Sequence, residues 1–305
     1  MFYDQYDNPV PERQRRARGE LLRVFLPGRA GIHLVIRLFC SCLLFPLSLA
    51  ACSVDLLGFF GSNDLDERLN HRNTFNLLSP SDRNLTFTDD SYSFIAVADT
   101  HIENADAFGL ERLAPLVAGD HRVKFVVVLG DITQNGRARD LEKFISIAQS
   151  LGVPCYPVVG NHDIYHNNWP AWRDLIGSTS YRIDGYNLTL FVLDSANAFF
   201  GASQLSWLDR ELGTAKGRVF VFTHANLFTE SVTDIQVLTD LRERARIMSL
   251  LQGRVDGMIS GHAHKRIIKT RGAVRYTAVE DFKSTKTYCR VEVGPGGVSY
   301  TFAAL

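Results

Sequence analysis

Residues 125–131 read Phe125-Val126-Val127-Val128-Leu129-Gly130-Asp131. An unbroken apolar run, rich in β-branched valine, stops at a glycine and a carboxylate. Such a run suits a strand buried on both faces, because a half-exposed strand would alternate apolar with polar. The same punctuation recurs on either side. Ser93-Phe94-Ile95-Ala96-Val97-Ala98 ends at Asp99-Thr100-His101, and Val153 to Val159 ends at Gly160-Asn161-His162-Asp163. Leu188 to Leu193 ends at Asp194, Val219 to Phe222 at Thr223-His224, and Met258-Ile259-Ser260 at Gly261-His262-Ala263-His264.

Helical patterns lie between these runs. Ala138 to Ser150 sets Leu141, Phe144, Ile145 and Ala148 on one stripe. Ser203 to Leu212 carries Leu205, Trp207, Leu208 and Leu212, with Ser203 expected as N-cap. Val237 to Leu251 is a third. Past His264, short strands are expected at Arg266–Thr270, Val274–Val279, Thr287–Val293 and Gly297–Phe302. The order predicts an α/β fold with an antiparallel finish.

Ligands of open α/β sheets sit outside the carboxyl ends of strands. One Asp or His after a strand needs no explanation, since strands end in loops. Five segments with metal-competent side chains at strand ends do. Five of the nine histidines fall in them, and imidazole with carboxylate suits Mn, Fe or Zn.

Composition bounds the alternatives. The chain has 305 residues, 46% hydrophobic, which supports a sizeable core. Formal net charge is zero, so no global field draws the chain toward nucleic acid or acidic lipid. Cys155 and Cys289 are expected as buried thiols in strands rather than a disulfide.

The N-terminus has a different character. Arg13, Arg15, Arg16, Arg18, Arg23, Arg29 and Arg37 precede an apolar stretch from Leu38 to Ala51. Basic region, apolar region and small residues in that order read as a secretory signal. The stretch is short of the roughly 20 apolar residues a membrane-spanning helix needs. Leu49-Ala50-Ala51-Cys52 resembles a bacterial lipobox. The expected organisation is a signal peptide over 1–51, a lipidated Cys52 with a tether over 52–90, and a folded domain over 91–305. Turn chemistry fills the tether at Ser62-Asn63-Asp64, Ser79-Pro80-Ser81-Asp82 and Asp89-Asp90, and one short helix fits 64–69. This organisation predicts a lipid-anchored protein of the bacterial cell envelope, facing the periplasm or the exterior. The alternative is an uncleaved signal anchor with the domain on the cytoplasmic face.

In order, D-x-H, G-D, G-N-H-D, T-H and G-H-x-H resemble the calcineurin-like metallophosphoesterase superfamily, over about residues 92–305. The resemblance implies a four-layer α-β-β-α architecture, a β-sandwich flanked by helices. It implies two divalent metal ions, Mn or Fe, with Zn tolerated. Asp99, His101 and His264 would hold the first, Asn161, His224 and His262 the second, and Asp131 would bridge them. A metal-bridging hydroxide would then attack a phosphomonoester or phosphodiester. His162 is no ligand in this scheme; it would face the phosphate and stabilise or protonate the leaving oxygen. Gln134 stands where purple acid phosphatases have a Tyr ligand and calcineurin an Asp. With Pro154-Cys155, it looks like the class III cyclic-nucleotide phosphodiesterase branch. The competing reading is a catalytically silent metal- or partner-binding module on the same fold.

Several residues receive structural readings. Asp163 is expected to anchor its loop, and Asp194-Ser195 to close a strand. Trp169, Trp172 and Trp207 are expected in the core. Tyr165, His166 and Asn168 are expected on a solvated loop, Lys265 and Arg266 in solvent, and Asn226 either to contact phosphate or to cap the next segment.

Overall fold

The structure, a computed structural model, describes residues 65–228 and 240–305. All of the described residues fall within the unit Leu56–Leu305. The expected signal segment and Cys52 lie outside the described residues.

Two sheets carry the fold. The first strands are β1 (Asn84–Leu85), β2 (Tyr92–Val97), β3 (Val123–Leu129), β4 (Cys155–Val158), β5 (Tyr181–Gly185) and β6 (Leu188–Val192). They are followed by β7 (Arg218–Phe222), β8 (Gly257–Ser260), β9 (Ile267–Arg271), β10 (Val274–Ala278), β11 (Thr287–Gly294) and β12 (Gly297–Ala304). One sheet has seven strands in the order β1-β5-β6-β7-β8-β10-β9, the other five in the order β12-β11-β2-β3-β4. β2, β3 and β4 are mutually parallel, as are β6, β7 and β8.

Period-two alternation explains the layers. Phe94, Phe125 and Tyr156 of one sheet meet Phe220 and Phe222 of the other in the central core. Phe94 stacks on Phe125 at 4.6 Å between ring centroids. The intervening residues Ile95, Val97, Val126 and Val128 face outward onto Leu141, Phe144, Trp169 and Trp172. These last four come from the helices Ala138–Ser150 and Trp169–Leu175. On the far side, Phe191, Val219, Val221 and Met258 meet Leu205 and Leu208 of helix Ala202–Leu212 and Ile247 and Leu251 of helix Leu241–Leu251. The result is the expected helix–sheet–sheet–helix sandwich. All three tryptophans are core residues.

Three local expectations change. The finish is mixed, not wholly antiparallel: β10 lies parallel to β8, and β9 pairs antiparallel outside it. β10 is apolar enough for the interior slot, whereas Lys269 and Arg271 suit β9 to the edge, where charge discourages strand addition. Ser203 is not an N-cap. The Glu243 carboxylate of another helix accepts from the Phe200 and Gly201 amides (2.6 and 2.7 Å), and the Ser203 hydroxyl bonds Asp66 instead.

The tether is the third correction. From Leu65 onward the stretch assigned to it is folded. Helix Leu65–Leu69 buries Leu65, Arg68 and Leu69. Arg68 makes a bidentate pair with Asp194 (2.7 and 2.9 Å), both side chains fully buried, and adds a bond to Asn197 at 2.6 Å. β1 pairs with β5, and Leu78 and Leu85 enter the central core. Turn residues dominate the composition of this segment. The leucines are spaced too irregularly to register as a strand or helix, and the partner that buries Arg68 lies 126 residues away.

Cys155 and Cys289 are free and buried, with burial pushing both thiols up to about 12. Among the described residues, no helix is long and apolar enough to cross a membrane.

Candidate metal centre

The strand ends of both sheets converge. The loops after β2, β3 and β4 meet those after β7 and β8, and each delivers one of the five segments. The local backbone is unusual. Asp99, His101, Asp131, His262 and His264 have positive φ, between 46° and 67°. For an L-residue this left-handed conformation costs roughly 1–2 kcal/mol. It persists where the surroundings over-determine it. Here the amides of Asp99 and His101 donate to Gly130 and Asp131 carbonyls (3.1 and 2.9 Å), and Gly261 donates to the His224 carbonyl (3.0 Å).

Two glycines make room for close approach. A Cβ on Gly130 would stand 2.5 Å from His224 Nδ1, and one on Gly160 would overlap the Asp131 amide nitrogen and Oδ1. The glycines in G-D and G-N-H-D are therefore steric requirements of the centre.

Asp131 lies at its middle. Its Oδ1 accepts from the His162 amide (2.9 Å) and lies 3.3 Å from His224 Nε2. Its Oδ2 lies 4.0 Å from His101 Nε2 and 3.9 Å from His162 Nε2. Asp99 Oδ2 accepts from the His262 amide (2.9 Å), while Oδ1 is 3.4 Å from His264 Nε2. Donor atoms of Asp99, His101, Asp131 and His264 all lie within 4.8 Å of one another, and so do those of Asp131, His224 and His262. Asn161 Oδ1 joins the second group, 3.1 Å from His224 Nε2. All seven predicted side chains are thus gathered in two groups that share Asp131.

The donor chemistry fits a cation. Asp99 Oδ1 and both ring nitrogens of His101 are buried without a hydrogen-bond partner, a costly arrangement unless something positive binds there. His224 Nδ1 is 2.8 Å from the Leu129 carbonyl, so Nδ1 carries a proton and Nε2 is the nitrogen turned into the centre. Nε2 meets Asp131 Oδ1, Asn161 Oδ1 and His262 Nδ1, the last at 2.9 Å. Electron-rich atoms converge here with few protons to share. A proton is the smallest cation such a cluster holds. Burial opposes charge on His224, but Asp131 outweighs it and pushes this imidazole up to about 9. Burial and the His224 charge push His262 down to about 3, and burial pushes His101 down to about 4.

Other residues support the centre. Asp163 anchors its loop as expected, accepting from the Ile132, Thr133 and Gly160 amides (3.2, 2.8 and 2.9 Å). Burial and the neighbouring Asp131 charge push its carboxyl up to about 6. Asp194 is structural, and Ser195 Oγ binds the Thr223 hydroxyl (2.6 Å) beside His224. Asn226 Oδ1 accepts from the Phe228 amide (2.9 Å), as a cap would. Arg266 pairs with Glu280 at 3.1 Å. Tyr165 corrects the solvated-loop expectation. It is buried, and its hydroxyl accepts from Asn161 Nδ2 (2.7 Å), which turns Asn161 Oδ1 toward His224. The contact forms across a 3-10 turn whose backbone leaves helical geometry at Tyr165, which sequence spacing does not signal.

The family model for calcineurin-like phosphoesterases matches residues 92–266. A cAMP/cGMP dual specificity phosphodiesterase of Mycobacterium tuberculosis is 28% identical over 202 residues, covering 57% of this chain and 62% of that protein. A 3',5'-cyclic adenosine monophosphate phosphodiesterase of Pseudomonas aeruginosa is 24% identical over 241 residues, covering 73% and 85%. The chain spans less than two thirds of the length of several curated relatives it matches. A dimetal phosphatase from Danio rerio shares the fold, with a TM-score of 0.57 at 16% identity, covering 71% of this chain and 99% of the other. With five motif blocks gathered at one end of a four-layer sandwich, and more than half its length matched, the chain belongs to the calcineurin-like phosphoesterase family.

Proposed function

We propose that the chain hydrolyses a phosphodiester, with cyclic nucleotides the first class to test, using two divalent cations. Asp99, His101 and His264 would hold one, Asn161, His224 and His262 the other, with Asp131 shared. The observation that carries this reading is the membership of Asp131 in both donor groups. Bound divalent ions supply a water nucleophile at neutral pH and clamp the attacking and leaving oxygens of an in-line displacement. Asp131 offers one carboxylate oxygen to each side, and neutral Asn161 adds an oxygen without adding charge. His162 belongs to neither group, yet its Nε2 faces Asp131 at 3.9 Å. It is the chain's proton donor to the leaving oxygen. The diester reading is supported by the two relatives named as cyclic-nucleotide phosphodiesterases. Gln134 supplies no phenolate, which favours Mn or Fe(II) over a ferric–tyrosinate site.

The test is a panel of cyclic AMP, cyclic GMP, bis-p-nitrophenyl phosphate and p-nitrophenyl phosphate, assayed with Mn, Fe(II) or Zn after chelation. Diester turnover with about two metals per chain and an Asp131→Asn variant slowed by on the order of a hundredfold or more is expected. Turnover restricted to monoesters would overturn the diester reading, and one metal per chain would overturn the shared carboxylate. The location is likewise a proposal, a lipid anchor at Cys52 on the cell envelope. Palmitate labelling that persists in Cys52→Ala would refute it.

A further inference from the structure

Lys283 lies outside the family match, which ends at residue 266, and it carries none of the metal-site chemistry. Its position is nevertheless tightly built. The short helix Phe282–Thr285 follows Asp281, whose carboxylate caps the Ser284 amide at 2.9 Å. The Phe282 and Lys283 amides donate to the carbonyls of Ala98 and Asp99 (2.8 and 3.2 Å). Lys286 closes the helix at φ 57°, and its ammonium binds the Lys283 carbonyl. The segment therefore runs beside Asp99 and projects Lys283 toward Gln134.

Lys283 Nζ lies 3.3 Å from Gln134 Oε1, with Glu103 Oε2 at 4.0 Å and the Phe108 ring at 4.8 Å. An ammonium donates and cannot accept, so the amide atom facing it is the oxygen. The Gln134 side chain is thereby held from outside. Gln134 also contributes the main-chain carbonyl that accepts from His162 Nδ1 at 2.8 Å. With Nδ1 tied to that carbonyl, the opposite nitrogen, Nε2, is the one aimed at Asp131. His162 Nδ1 thus lies against both the backbone oxygen and, at 3.4 Å, the side-chain Nε2 of Gln134, and that side chain is braced by Lys283.

We infer that Lys283 is a positioning residue for the phosphoester reaction, acting on His162 through Gln134. This rests on the role given to His162 above. The experiment is a double-mutant cycle with bis-p-nitrophenyl phosphate, using Lys283→Met, Gln134→Met and the pair, with Lys283→Arg and His162→Ala alongside. Metal content is measured on each. Lys283→Met is expected to lower kcat about tenfold, with KM within about twofold and metal content unchanged. Lys283→Arg should recover most of the loss. The double variant should be no slower than Gln134→Met alone, because both changes cut one chain of contacts.

Unchanged turnover, additive losses in the pair, or a raised KM at constant kcat would each overturn the inference. The last would make Lys283 a substrate contact. Loss of metal in Lys283→Met would overturn it too, by assigning the lysine to the support of Asp99. The two readings fail separately. A fully active His162→Ala removes the role of His162 itself, whereas a slow His162→Ala beside a fast Lys283→Met removes only this inference.

Discussion

Gly160 has no functional group, yet the geometry of the centre depends on it as firmly as on its donor side chains. Any Cβ there would occupy the space of the Asp131 amide and carboxylate oxygen. Gly160→Ala should therefore displace Asp131. We expect it to bind less than half the wild-type metal by elemental analysis, together with a destabilisation of about 1–3 kcal/mol from overpacking. Wild-type metal content would refute the steric account. The candidate ligand residues themselves were legible as letters, because aspartate and histidine at strand ends announce their chemistry. Their backbone conformations were not. Nothing in the local sequence marks His101 or His262 for a left-handed backbone, since only the packed loops over-determine it. Tyr165 was hidden for a similar reason. A tyrosine two residues past the motif resembles loop decoration until the turn brings its hydroxyl onto Asn161.

At the scale of elements, the helix Leu65–Leu69 is too short to be stable alone and is held by tertiary contacts. Arg68 is the main one. Removing one partner of a buried pair leaves the other charged and unsatisfied, which costs roughly 3–5 kcal/mol. Arg68→Ala should lose about that much stability in urea, because Asp194 is fully buried. The exposed pairing of Arg122 with Asp120 provides the contrast, since its loss should cost at most about 1 kcal/mol. Equal effects would mean that Arg68 is solvated in solution. The same reasoning predicts where the domain can be cut. A fragment of 56–305 should unfold cooperatively, whereas one of 91–305 lacks Leu65, Leu69, Leu78 and Leu85 from the core and should be less stable or aggregate. A 91–305 fragment as stable as the longer one would restore the tether reading. The strands of the sandwich were readable as apolar runs. β5 was not, because Tyr181–Gly185 mixes apolar and charged residues and takes its place from pairing with β6 and β1.

For the whole molecule, the metal centre joins the two sheets at one end of the sandwich. Asp99, His101 and Asp131 come from one sheet, His224, His262 and His264 from the other. Ions bound among them would act as cross-links of the folded state only. Chelation should lower Tm, and returning Mn should restore it. An ion held at about a hundred times its Kd contributes about 2.7 kcal/mol. A Tm indifferent to chelator and to Mn would mean that the centre does not hold ions across the sheets. The order of the five blocks, the apolar runs before them and the residue types within them are local properties. They suffice for the fold class and the kind of chemistry, because strand burial and metal affinity are written in side-chain type and spacing. What only the tertiary structure decided is which atoms meet. The burial of Arg68 against Asp194, the Tyr165 bond to Asn161 and the Lys283 contact to Gln134 each join residues whose encounter depends on how the chain is threaded. Asn161 and Tyr165 are near in sequence, but their bond needs the turn to close. The others are set by loop closure and sheet order, which no single segment encodes.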